Sequence, residues 1–194
     1  MTPGTKIVNY VYLTWPVRGT TSGATAVPKT GQETCWDDSG ASIACAGTGQ
    51  DGDLRMGVAW PAPRFSGAGD CMTDALTGLT WAKAPQATTM TWTEAFTATK
   101  LMTICGRNDW RLPNRVEMLS LIGFTGESLA WLNDQGFTGV TNGAYWSSTT
   151  FASLTGRNIA WLDETYDYKT QKHAVWTVRG PDAPLDKKTY LRLM

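Results

Sequence analysis

The apolar and polar positions of this chain alternate in short bursts, which predicts many short strands and two helices. Residues 6–17 carry Ile7, Val8, Tyr10, Val11, Tyr12 and Leu13, β-formers that end at Trp15-Pro16-Val17-Arg18-Gly19. Small residues at 20–26 read as a linker, and residues 27–53, rich in Gly, Ser, Thr and Asp, read as an irregular loop. Prolines extend Val58-Ala59-Trp60-Pro61-Ala62-Pro63-Arg64-Phe65. Met72-Thr73-Asp74 and Leu79-Thr80-Trp81 then flank Ala75-Leu76-Thr77-Gly78 as a β-hairpin. Thr91 with Glu94 forms a capping box before Trp92, Ala95, Phe96, Thr99 and Met102, which recur at helical spacing.

The next stretch, Asp109-Trp110-Arg111-Leu112-Pro113-Asn114-Arg115-Val116-Glu117, joins an extended run to a second helix. Pro113 keeps Trp110-Arg111-Leu112 out of helix, and Asn114 caps with Glu117 three residues on. Val116, Leu119 and the Leu121-Ile122 pair then mark an apolar stripe. Residues 123–141 read as a loop anchored by Trp131 and Phe137. Tyr145-Trp146-Ser147-Ser148-Thr149-Thr150, Ile159-Ala160-Trp161-Leu162 and Ala174-Val175-Trp176-Thr177-Val178 supply the closing strands. Two helices inside a β-rich, loop-rich chain predict an α+β domain over 27–180, preceded by a strand and linker (1–26) and followed by a polar tail (181–194). Trp176-Thr177-Val178-Arg179-Gly180 echoes Trp15-Pro16-Val17-Arg18-Gly19. The echo predicts terminal strands lying side by side; the alternative is the tail of a preceding repeat.

Composition narrows the class. Ten Trp and twenty Gly against a single His suit tight turns and aromatic contact surfaces, so a binding domain is expected over a hydrolase. Formal net charge is zero, so no global field draws the chain to nucleic acid. No apolar run approaches the ~20 residues of a spanning helix, and Met1-Thr2-Pro3-Gly4 does not read as a signal peptide. Four cysteines allow three pairings. The turn Asp37-Asp38-Ser39-Gly40 favours Cys35 with Cys45, leaving Cys71 with Cys105. Such bridges would place the protein outside the cell or on a cell or phage surface; the alternative is four reduced, buried thiols.

Candidate chemistry is sparse. No cysteine pair has CxxC spacing, and one His cannot complete a zinc set, so no metal and no cofactor is expected. Asp51-Gly52-Asp53 could converge on calcium but lacks the further oxygens of an EF-hand loop, so it reads as a turn. His173 has no nucleophile or carboxylate arrangement near it in sequence that supports a triad. Asp163 and Glu164, being adjacent, would point to opposite faces of a strand. No enzyme is expected. Trp60, Trp81, Trp110, Trp146 and Trp161 are expected in the core, each indole N–H donating to a backbone carbonyl.

Several segments occur in a consistent order that resembles the C-terminal domain family of the Legionella collagen-like adhesin. They are Val27-Pro28-Lys29-Thr30-Gly31-Gln32, Gly49-Gln50-Asp51-Gly52-Asp53, Gly57-Val58-Ala59-Trp60-Pro61 and Thr73-Asp74-Ala75-Leu76-Thr77-Gly78-Leu79-Thr80-Trp81. Asp109-Trp110-Arg111-Leu112-Pro113-Asn114, Tyr145-Trp146-Ser147-Ser148-Thr149-Thr150 and Val178-Arg179 continue the series. The resemblance implies a C-type-lectin-like fold with paired terminal strands. The chain is also similar, more distantly, to the formylglycine-generating enzymes, but no cysteine follows Cys105 to supply their redox pair. Some family members are targets of diversity-generating retroelements that vary a C-terminal ligand-binding face. By that resemblance the exposed positions would be Phe151, Ser153, Leu154, Arg157, Asn158, Asp163, Glu164, Tyr166, Tyr168, Lys169, Gln171 and His173. Its partner would be a protein or a glycan on a cell surface. A sulfated glycan would need a basic patch, with Arg157, Lys169 and Lys172 as candidates offset by Asp163, Glu164 and Asp167.

Overall fold

The computed structural model describes residues 27–122, 129–150, 157–160 and 166–180. It is an α+β, loop-rich domain with small antiparallel sheets. In chain order the elements are β1 (Cys35–Trp36), β2 (Ser42–Ile43), α1 (Asp51–Leu54), β3 (Phe65–Ala68), β4 (Cys71–Asp74) and β5 (Thr80–Ala82). Then come α2 (Trp92–Leu101), α3 (Arg115–Leu119), α4 (Trp131–Asp134), β6 (Trp146–Thr150), β7 (Arg157–Ala160), β8 (Tyr166–Tyr168) and β9 (Val178–Arg179). The strands form a β1-β2 ribbon, a four-stranded β3-β4-β5-β9 sheet and a three-stranded β6-β7-β8 sheet.

Local chemistry places several of these elements. Asp37 accepts from the Ser39 and Ala41 amides and from the Ser39 hydroxyl, tightening the turn that returns β2 onto β1. Cys35 and Cys45 meet across that ribbon with their Cα atoms 5.2 Å apart, and Cys71 pairs with Cys105. Both helix caps form as reciprocal boxes, Thr91 with Glu94 and Asn114 with Glu117. The hairpin between β4 and β5 also forms, with Asp74 accepting from the Leu76 amide and the Thr77 hydroxyl inside it.

Other features depart from expectation. Among the described residues four helices stand where two were predicted, because Asp51-Gly52-Asp53-Leu54 and Trp131-Leu132-Asn133-Asp134 each close one turn. Gly52 of α1 packs against the first disulfide. A Cβ there would lie 2.7 Å from the Thr34 carbonyl and 2.9 Å from the Cys35 Sγ, so the glycine serves close packing. Val116 is exposed instead of lining the apolar stripe, since the five-residue α3 turns Glu117 and Met118 inward. The strand expected over 174–178 is regular only at Val178–Arg179; residues 173–175 each bond a different neighbour.

One large core joins Phe65, Met72, Leu79, Trp81, Trp110, Met118, Leu132, Phe137, Tyr145 and Trp176. A smaller cluster joins Ala95, Leu112, Trp146 and Val175. Trp176 is the aromatic hub of the large core, in edge contact with Trp81 and Phe137 at 5.6 and 5.3 Å between centroids. The indoles of Trp60, Trp110 and Trp146 donate to backbone carbonyls, as expected, and so does that of Trp176, which the expectation did not include. That of Trp81, fully buried, has no hydrogen-bond partner, and Trp60 is only half-buried. Trp161 lies outside the described residues.

Three ion pairs, one of them buried on both sides, tie the layers together. The Arg64 guanidinium meets the Asp74 carboxylate through Nε at 2.9 Å and Nη2 at 2.8 Å, both side chains almost fully buried, and Nη2 also donates to the Ser120 carbonyl. Arg111 clamps Glu117 with two bonds of 2.8 and 2.6 Å, so the residue that caps α3 also anchors the preceding strand. Arg179 clamps Asp109 at 2.7 and 3.0 Å, fixing β9 to the turn before Trp110. Arg179 is the main reason the Asp109 carboxyl sits below the usual aspartate range.

Candidate functional site

The sequence places its candidate face on residues 151–173, and the described part of that stretch is β7, β8 and the turn after them, which form one sheet with the preceding β6. Trp146 roots the sheet. Its ring is fully buried, its indole donates to the Met90 carbonyl at 2.7 Å and its amide to the Ala174 carbonyl at 3.0 Å. Beyond that root burial falls along β6, from Trp146 and Ser147 to the exposed Thr150. β7 pairs with β6 through Trp146↔Ala160 and Thr150↔Asn158, and with β8 through Arg157↔Tyr168, Asn158↔Asp167 and Ile159↔Tyr166.

The body holds this sheet largely by its backbone. The Ser148 amide donates to the Pro113 carbonyl at 2.7 Å, and the Trp92 indole and amide donate to the Ser147 and Lys169 carbonyls at 3.0 and 3.1 Å. The Arg115 amide donates to the Thr149 hydroxyl at 3.0 Å. Both capped helix starts, at residues 91–92 and 114–115, thus dock against the sheet. At the first of them the Thr91 amide and hydroxyl, with Lys172 nearby, hold the Glu94 carboxyl below its usual range.

On the outer side the side chains form a mixed aromatic and polar surface. Tyr168 is 51% exposed. A turn follows it, closed by the Gln171 amide on the Tyr168 carbonyl at 2.8 Å, with Gln171 exposed. Lys169 lays its ammonium 3.9 Å from the centroid of the Trp92 ring and donates to the Thr150 hydroxyl at 3.3 Å. Trp92 in turn stacks edge-on against Phe96 at 4.5 Å. A cation–π contact at such an exposed site stabilises by about 0.5–1 kcal/mol, enough to orient the lysine without burying it.

His173 is placed differently from the rest. Its Nε2 lies 2.8 Å from Asp167 Oδ2, its ring packs edge-on against Trp146 at 4.5 Å, and its backbone pairs with Met90. It pins the turn to the root of the sheet. Of the twelve sequence-derived positions, Tyr168, Lys169 and Gln171 share the turn after β8, with Tyr168 and Gln171 exposed and Lys169 half-buried. Arg157, Asn158 and Tyr166 share the sheet in the register given. Phe151, Ser153, Leu154, Asp163 and Glu164 lie outside the described residues. Trp92, the shelf beneath Lys169, was missed, because its helical spacing with Ala95 and Phe96 marks it as a core residue. A Trp opening a capped helix, where one flank of the ring is open, was the available signal.

Asp51 and Asp53 are both engaged within their own loop, the first accepting from the Thr30 hydroxyl and the second from the Gly49 amide. Among the described residues no group of His, Cys, Asp and Glu could hold a metal ion, and no helix is long and apolar enough to cross a membrane.

Fold and surface together define a disulfide-braced, loop-rich α+β domain that carries a polar and aromatic face on a small peripheral sheet. The Lcl C-terminal domain model matches residues 70–179, more than half of the 194-residue chain, and the chain belongs to that family. The match runs from the start of β4 to the end of β9 and includes the whole candidate face. No curated protein matches the chain. Two disulfides and this family membership fit an extracellular or cell-surface setting.

Proposed function

We propose that this is a non-catalytic adhesin or receptor domain whose ligand-binding face is the outer side of the β6-β7-β8 sheet and the turn at 168–171. One observation carries the reading: the sheet is fastened by its root and mostly by main-chain bonds, while Tyr168 and Gln171 are exposed and Lys169 lies half-buried over Trp92. Such a surface can change its side chains with little effect on the core. An exposed tyrosine beside a lysine held over a tryptophan suits a glycan, by stacking and hydrogen bonding, and also suits a protein ligand. Lys169 and Lys172, both on the turn after β8, favour a sulfated or otherwise anionic glycan.

The same main-chain fastening supports a second, finer reading, in which the face is diversified by a retroelement. A C-type-lectin-like scaffold, with its peripheral variable sheet, accommodates both. His173 supports the non-catalytic assignment, since its imidazole is committed to Asp167 and Trp146.

The test is binding of the purified domain to arrayed sulfated and neutral glycans and to cell-surface proteins, for wild type, Tyr168→Ala and Lys169→Ala. Loss of ~tenfold or more in affinity at unchanged melting temperature is expected for both variants. Undiminished binding by both would move the face elsewhere. Sequencing the gene's 3′ end decides diversification: a nearby near-copy of codons 145–179, differing mainly at adenines, is the expected signature, and an invariant allele with no template refutes it.

A further inference from the structure

Asn142-Gly143 is the one place in the chain where an asparagine precedes a glycine. Such a pair carries its own chemistry, because the glycine nitrogen lies within reach of the asparagine Cγ and glycine brings no Cβ to shield it. Whether the two atoms meet depends on tertiary structure. A carboxamide held by hydrogen bonds is kept from the attack, and so is a backbone amide paired in a ladder.

The structure leaves this pair open. Both residues are exposed, and neither the Asn142 carboxamide nor the Gly143 amide bonds any group among the described residues. A Cβ built on Gly143 would meet only the Thr141 hydroxyl, at 3.9 Å, so no neighbour crowds the nitrogen. Two other asparagines are held. Asn114 accepts from the Glu117 amide at 2.8 Å as the cap of α3. Asn133 clamps Val140 through both ends of its carboxamide, at 2.9 and 3.0 Å.

Anchors stand on either side of the open pair. The hydroxyl of the buried Tyr145 accepts from the Thr141 amide and donates to the Thr141 carbonyl, both at 3.1 Å. The Ala144 carbonyl accepts from the Ala174 amide at 3.1 Å, and the Trp146 amide donates to the Ala174 carbonyl at 3.0 Å. Asn142 and Gly143 thus span a gap of set length beside the root of the β6-β7-β8 sheet.

We infer that Asn142 is a site of spontaneous deamidation, with solvent water as the reagent, and that one of its two products loosens the root of the sheet. The Gly143 nitrogen gives its proton to solvent and bonds to Asn142 Cγ. The Cγ–Nδ2 bond breaks, ammonia leaves, and a cyclic imide closes. Water then opens the ring in one of two ways. Breaking the bond between Cγ and the Gly143 nitrogen gives aspartate on an unchanged backbone. Breaking the main-chain bond instead leaves the chain running through Cγ, an isoaspartyl link one carbon longer, with the α-carboxylate as its side group. The longer link has to fit between Thr141 and Ala144, whose positions Tyr145 and Ala174 set. The inference does not depend on what the outer face of the sheet binds.

The full chain, incubated at mildly alkaline pH and sampled over weeks by peptide mass spectrometry with fragmentation, tests it. Residue 142 should gain the mass difference between a hydroxyl and an amino group at least ~tenfold faster than Asn114 and Asn133. Gly143→Ala, which the open space accommodates, should slow the change by ~tenfold or more. Equal rates at the three asparagines, or a Gly143→Ala variant that reacts as fast as wild type, would overturn the site. In the aged chain, the isoaspartyl fraction measured by enzymatic methylation should match a population melting ~3 °C or more below fresh protein, whereas Asn142→Asp should melt within ~1 °C of it. An isoaspartyl form as stable as Asn142→Asp would overturn the loosened root.

Discussion

Replacing Asp74 by asparagine removes one charge from the interior while keeping the side chain's shape, and it isolates the Arg64–Asp74 pair. The Asp74 carboxylate is fully buried and accepts four bonds of 2.8–2.9 Å, two from Arg64, one from the Leu76 amide and one from the Thr77 hydroxyl. With its carbonyl in the Oδ1 position, asparagine keeps the bonds from the Leu76 amide and Arg64 Nε, but in the Oδ2 position it presents an NH₂ group, which can donate to the Thr77 hydroxyl and only opposes the Arg64 Nη2 donor. Arg64 would then have no carboxylate charge beside it, and the Ser120 carbonyl and the faces of Trp60 and Phe65, each 4.6 Å from its Cζ, would remain as its further compensation. Its Nη1 already has no hydrogen-bond partner. Breaking a buried ion pair on one side costs about 3–5 kcal/mol, because the remaining charge stays desolvated. That is a large share of the 5–15 kcal/mol typical of a domain, so Asp74→Asn should be folded but marginal. Urea unfolding followed by tryptophan fluorescence reads the loss as a lower midpoint at unchanged slope. Arg64→Met combined with Asp74→Asn should recover part of the loss, since both charges leave together. A loss below about 1 kcal/mol for Asp74→Asn alone would refute the view that this pair fixes β3 and β4 to the end of α3.

Further expectations rest on single features. Cys71→Ser with Cys105→Ser should cost roughly 4 kcal/mol in the loop-entropy account, and Cys35→Ser with Cys45→Ser roughly 3, from sequence separations of 34 and 10; chemical denaturation in the oxidised background orders the two. Trp146→Ala should cost ~3–5 kcal/mol, as a fully buried ring whose indole bond is also lost, whereas the exposed Gln171→Ala should stay within about 0.5. Calorimetry on both variants checks this, and equal losses would contradict the division between root and face. The Asp109 carboxyl, lowered mainly by its hydrogen bonds from Arg179, stabilises the fold above its unfolded-state value, and this contribution disappears as pH falls through the lower folded-state value. Asp109→Asn should therefore flatten the stability profile below about pH 4 and leave its shape near neutrality alone, as melting temperatures across that range would record.

The parts of this molecule legible in the sequence are those whose energetics close within a few residues. Each capping box is complete between a residue and its third neighbour, so Thr91 with Glu94 and Asn114 with Glu117 declare α2 and α3 without reference to the rest of the chain. The 35–45 disulfide follows from a turn that Asp37 builds from its own neighbours, and the β4-β5 hairpin from the Asp74–Thr77 bond inside its loop. What only the tertiary structure decided are the roles that depend on a distant partner. Trp92 has helical spacing whether it is core or shelf, and only the tertiary structure brings Lys169 over its ring, beside the candidate face. Val116 and Met118 are both apolar and flank Glu117, and only the packing of the short α3 on the core decides that Met118 is buried and Val116 exposed. The segment 173–178 has the β-propensity of a strand, yet it is shared among Met90, Tyr145, Gln86, Ala82 and Arg111, because backbone groups take whichever partner packing brings within reach.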